Sequence, residues 1–95
     1  IKIMEDLKQE GSAKTPIVEF SSKGDLLLKG RSIPENSIEF YKPLIEWIES
    51  YSESPNDSTT LKVQLEYFNT SSSKCILDLF KKLESISGSE VSVKW

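Results

Sequence analysis

The chain has 95 residues, 37% of them apolar and 28% charged, with a net charge of −3. That composition predicts one soluble globular domain with a single core, and the acidic balance argues against nucleic-acid and membrane-surface partners. There is no histidine and one cysteine, Cys75, which excludes an internal disulfide, a cysteine-rich metal site and most catalytic constellations.

In chain order, residues 1–15 are mixed and polar and predict no firm structure. Ile17–Phe20 reads as a short strand. Ser21–Asp25 is a turn, with Gly24 taking the backbone angle that other residues avoid. A second strand over Asp25–Gly30 carries Leu26, Leu27 and Leu28, and the pair predicts an antiparallel hairpin. Gly30–Asn36 is a loop. Asn36, with Glu39 three residues on, follows the logic of a capping box and predicts a helix to about Tyr51. Tyr41, Leu44, Ile45, Ile48 and Tyr51 form its apolar stripe, and Pro43 is expected to bend or restart it.

Ser52–Thr59 is a polar loop. Residues 60–68 alternate, with Leu61, Val63, Leu65 and Tyr67 on one side and Lys62, Gln64 and Glu66 on the other. The alternation predicts a strand with one buried face. A second helix is expected from about Ser72 to Ile86, striped by Cys75, Ile76, Leu79, Phe80, Leu83 and Ile86. Ser87-Gly88-Ser89 ends it, and Val91, Val93 and Trp95 alternate in a last strand. No run approaches the roughly 20 apolar residues that cross a bilayer, and no signal peptide opens the chain. A cytoplasmic protein is therefore expected, one whose natural chain extends beyond Ile1 and Trp95.

The predicted order is β-β-α-β-α-β. Each β-α-β step is a right-handed crossover between parallel strands, which puts both helices on one face. The one-sided strands agree, because a sheet covered twice would read as continuous apolar runs. The expectation is a small two-layer α/β domain with a mixed four-stranded sheet. The loops Gly30–Asn36 and Asn69–Lys74 then leave parallel strands at the same edge, where such sheets bind ligands. One carries Arg31, whose guanidinium suits phosphate. The other holds four hydroxyls in a row, Thr70 to Ser73, where a strand hands over to a helix. The helix dipole favours an anion at such a point.

Gly30-Arg31-Ser32-Ile33-Pro34-Glu35-Asn36, then Phe40-Tyr41 and Pro43-Leu44, then Tyr67-Phe68-Asn69-Thr70-Ser71-Ser72-Ser73-Lys74 resemble the SiaC-type bacterial regulatory phosphoproteins. Thr15-Pro16 also fits, so residues 15–95 of the single domain carry the resemblance. It implies a fold of the anti-sigma-factor-antagonist (STAS) type. It also implies partner switching: a protein Ser/Thr kinase modifies a threonine, and a metal-dependent phosphatase restores it. The unphosphorylated form binds and activates a diguanylate cyclase, in cyclic di-GMP and biofilm signalling. The motif places that threonine at Thr70, with Ser71 and Ser72 as alternates. Arg31, Ser32, Glu35, Asn36, Asn69, Ser71, Ser72 and Lys74 are the expected partner-binding residues. No catalytic residue, metal or cofactor is implied.

Two other readings compete. Asn or Thr near a helix start serves as a cap worth about 1 kcal/mol, and the domain would then be a constitutive scaffold. A small enzyme with a Thr or Ser nucleophile would need a base, and only Lys74 or Glu35 is available nearby.

Overall fold

The computed structural model describes residues 5–95. The elements are β1 (Leu7–Gln9), β2 (Ile17–Phe20), β3 (Asp25–Ser32), α1 (Ser37–Tyr51), β4 (Ser58–Phe68), α2 (Thr70–Glu84) and β5 (Glu90–Lys94). The strands form one sheet in the order β1-β2-β3-β4-β5. β1–β2 and β2–β3 are antiparallel, and β3–β4 and β4–β5 are parallel. The domain is thus the expected small α/β unit, with five strands among the described residues rather than four. The additional strand, β1, pairs Leu7 with Phe20 and Gln9 with Val18. Three residues hold too little periodicity to announce a strand, and here the β2 edge supplies the pairing.

Val18, Phe20, Leu26, Leu28, Leu61 and Val63 point from the sheet into one core. Tyr41, Leu44, Trp47, Ile48 and Tyr51 of α1 close over them, with Cys75, Ile76, Leu79 and Leu83 of α2. Each fully buried Leu, Ile or Phe contributes roughly 1.5–3 kcal/mol relative to exposure. Lys62, Gln64 and Glu66 face solvent, as expected for a sheet with helices on one side. The hairpin turn at Gly24 has φ +103°, and an added Cβ there would lie 2.4 Å from the Ser58 carbonyl oxygen. The Gly24 carbonyl also accepts the Thr60 N–H at 2.8 Å, joining the turn to β4.

Three local expectations change. Tyr67 is 59% exposed, against the predicted burial. Gly30 pairs with Leu65 but Arg31 pairs with Tyr67, so β4 carries one extra residue, Glu66. This bulge inverts the alternation and turns Phe68 toward the core. Gly30, at φ +115°, is where β3 absorbs the shift. The strand then continues through Arg31 and Ser32, two residues that the sequence assigned to a loop. Finally, α1 runs unbroken through Pro43. Pro43 and Glu39 lie on the exposed side, so the Glu39 carbonyl that lacks the Pro43 N–H is not buried without a partner.

Candidate functional site at the β3–α1 and β4–α2 edge

The ends of β3 and β4 are neighbours, with Ser32 paired to Phe68. One residue further on, the Asn69 N–H donates to the Ser32 carbonyl at 3.1 Å. The two segments singled out in the sequence therefore meet at one edge.

Asn69 also decides where α2 begins. Its backbone is extended, and its side-chain oxygen accepts the Ser72 N–H at 2.8 Å. The helix starts at Thr70, two residues earlier than the apolar stripe suggested. Asn36 does the same for α1, accepting the Glu39 N–H at 3.2 Å. Two capped helix N-termini thus converge on the edge. The first turn of α2 has no acidic residue, so no side chain there offsets the positive end of its dipole.

The four hydroxyls have separate environments. Thr70, at the first helical position, is exposed, and among the described residues its hydroxyl makes no hydrogen bond. Ser71 is exposed. Ser73 is half-buried and donates to the Thr70 carbonyl at 2.7 Å. Ser72 is fully buried. Its hydroxyl donates to the Ser32 carbonyl at 2.9 Å and accepts from the Ser32 hydroxyl at 2.9 Å.

That pair belongs to a larger buried cluster. The Ser32 hydroxyl lies 2.5 Å from the Tyr41 hydroxyl, and the Ser37 hydroxyl 3.4 Å from that of Ser72. A hydroxyl has one proton. Ser32 gives its proton to Ser72, so Tyr41 is the donor to Ser32. The chain runs Tyr41 to Ser32 to Ser72 and ends on the Ser32 carbonyl. Burial pushes the Tyr41 phenol above its ordinary range, against the opposing effect of its Ser32 hydrogen bond. It therefore stays protonated and able to donate. Burial likewise raises the Cys75 thiol, aided by the Asp78 carboxylate.

The remaining expected residues are peripheral. Arg31 is exposed and pairs with Glu66, Nε to Oε2 at 3.5 Å. Glu35 pairs with Lys14 at 3.7 Å. Both pairs are solvent-exposed and worth little to stability. Lys74 is exposed one turn into α2. Arg31, Glu35, Asn36, Thr70, Ser71 and Lys74 are accessible, whereas Ser32 and Ser72 lie beneath them. The sequence reading left out the hydroxyl roles of Tyr41 and Ser37. The signal was spacing: Ser37 is one turn before Tyr41 on the buried stripe, and Ser72 precedes Cys75 and Ile76 on the other.

The family model for the SiaC family regulatory phosphoproteins matches residues 9–95. The chain belongs to the SiaC family. An uncharacterized protein of Pseudomonas aeruginosa (strain UCBPP-PA14) is 35% identical, covering 97% of this chain and 75% of its own length. Apo-SiaC from Pseudomonas aeruginosa superposes with a TM-score of 0.90 at 35% identity, over 97% of this chain and 78% of that one. SiaC has also been solved in complex with the diguanylate cyclase SiaD, as its activator. That SiaC chain gives a TM-score of 0.87 at 34% identity, covering 95% of this chain and 76% of that one. The SiaC-family membership expected from the two loop motifs is thus established. No helix of the described residues is long and apolar enough to cross a membrane.

Proposed function

We propose that this SiaC-family protein is a phosphorylation-switched binding module whose switch is Thr70. Unphosphorylated, it binds and activates a diguanylate cyclase in the cytoplasm. A protein Ser/Thr kinase and a metal-dependent phosphatase set its state. The carrying observation is the sorting of the hydroxyls: Thr70 is exposed on the first turn of α2, while Ser72 is buried and fully engaged. SiaC's complex with SiaD supports the choice of target.

The chemistry follows from charge. A phosphate on Thr70 adds roughly −1.5 to −2 charges. The helix N-terminus tolerates an anion, so the fold survives. The surface formed by Arg31, Glu35, Asn36, Asn69, Ser71 and Lys74 changes its local sign, and a partner that fits the bare edge is excluded. Ser71, also exposed, is the alternate acceptor. An enzymatic reading has less support. The Thr70 hydroxyl has no hydrogen-bonded base among the described residues, and Glu35 is paired with Lys14.

The test measures affinity for a diguanylate cyclase of the SiaD type. Unmodified chain, Thr70→Ala and stoichiometric Thr70 phosphoprotein are compared. The first two should bind and the third should not. Equal binding by the phosphoprotein removes Thr70 from the switch role.

A further inference from the structure

Thr70 and Ser72 share the first turn of α2 but face different worlds. Thr70 meets solvent, whereas Ser72 meets the end of β3 and the start of α1. The Ser32 carbonyl accepts both the Asn69 N–H and the Ser72 hydroxyl. Two of the links between the α2 start and β3 thus end on a single oxygen atom. Beyond Ser32, the Ile33 N–H is held by the Lys14 carbonyl at 2.8 Å, and Pro34 is buried. That short segment leads straight to the Asn36 cap of α1.

We propose that Ser72 is the positioning residue that couples the state of Thr70 to the Ser32–Ile38 segment. This rests on Thr70 being the modified residue. Helix geometry leaves the N–H groups of the first turn without intrahelical partners. A phosphate on Thr70 competes for them, including the Ser72 N–H now held by Asn69 Oδ1. A movement of that turn displaces the Ser72 hydroxyl. Ser32, Ser72 and Tyr41 are fully buried, with no water to replace a lost partner. The buried bonds therefore carry the movement into β3 and the α1 start instead of breaking. The switch surface then changes shape at residues 32–38 as well as charge at residue 70.

The experiment is a comparison of amide spectra of isotopically labelled protein, with and without phosphothreonine incorporated at position 70. In the wild type, phosphorylation should shift amides at 70–74 and also at 32–38. In Ser72→Ala, the 70–74 shifts should persist and those at 32–38 should fall severalfold, to what the remaining Asn69 N–H bond to the Ser32 carbonyl transmits. Ser32 keeps its Tyr41 and Asn69 partners in that variant, so the fold has support without the Ser72 hydroxyl. Undiminished 32–38 shifts in a folded Ser72→Ala protein overturn the proposal. So does their absence in the phosphorylated wild type, a result that stands even if the variant does not fold. Neither outcome touches the switch itself. A cyclase that still loses affinity for the phosphoprotein, with no change at 32–38, leaves Thr70 as the switch and removes Ser72 as its coupler.

Discussion

Ser32 and Ser72 are 40 residues apart in the chain, yet their hydroxyl oxygens lie 2.9 Å apart in the fully buried floor of the candidate site. Ser32 ends a strand and Ser72 sits in the first turn of a helix that follows another strand. The parallel pairing of β3 with β4 brings them together. The exposed residues above them take their positions from this floor.

Asn69, and not Thr70, should carry the capping energy of α2. Asn69→Ala should lower stability by about 1 kcal/mol. Thr70→Ala should stay within about 0.5 kcal/mol of wild type, because the Thr70 hydroxyl is exposed and makes no hydrogen bond among the described residues. Urea unfolding of the two variants separates them, and a larger loss at Thr70 contradicts the assignment.

Tyr41→Phe should alter the alkaline limb of stability. The folded phenol is raised above 10.0, mainly by burial, so the native state holds that proton more tightly than the unfolded chain. Its contribution is complete below the ordinary tyrosine value and is lost as pH rises through the raised one. At neutral pH the variant should be less stable by about 1 kcal/mol, having lost the donor to Ser32. Above the tyrosine range the gap should narrow. Parallel pH-dependent unfolding curves for the two proteins would contradict a buried, titrating phenol.

Gly24→Ala should cost more than about 1 kcal/mol. The positive φ is unfavourable for alanine, and the new Cβ would meet the Ser58 carbonyl oxygen at 2.4 Å. Thermal unfolding at equal protein concentration measures the loss. A neutral result would mean that the hairpin moves away from β4 without penalty.

Cys75 should resist thiol reagents in the native protein. It is 8% exposed, and its thiol is raised by burial and by Asp78. Labelling should accelerate with urea in step with global unfolding. Rapid labelling of the folded protein would point to local opening between α1 and α2.

Much of this architecture was legible in the residues. Leu61 and Val63 against Lys62 and Gln64 announced a one-sided strand, and α1 ends at Tyr51 as its stripe indicated. β1 was hidden because Leu7–Gln9 is ordered by its neighbour and too short to show a period. Tyr67 misled because a bulge opposite Gly30 depends on two strands at once. The site was legible as a pair of loops. Its vertical order was not, because Thr70 to Ser73 are chemically alike and only helix phase separates exposed Thr70 from buried Ser72.

The sequential order of the sheet bears on how the molecule is made. Among the described residues, every strand pairs with the strand next to it in the chain. A polypeptide leaving the ribosome N-terminus first can close each pairing as soon as the next strand appears, with no gap held open for a later one. Asn36, Ser37 and Tyr41 are in place before Asn69 to Ser72 arrive, and both groups emerge before β5. The residues of the edge bearing Thr70 all precede β5 in the chain, and β5 adds to the side of a sheet already joined through β3 and β4.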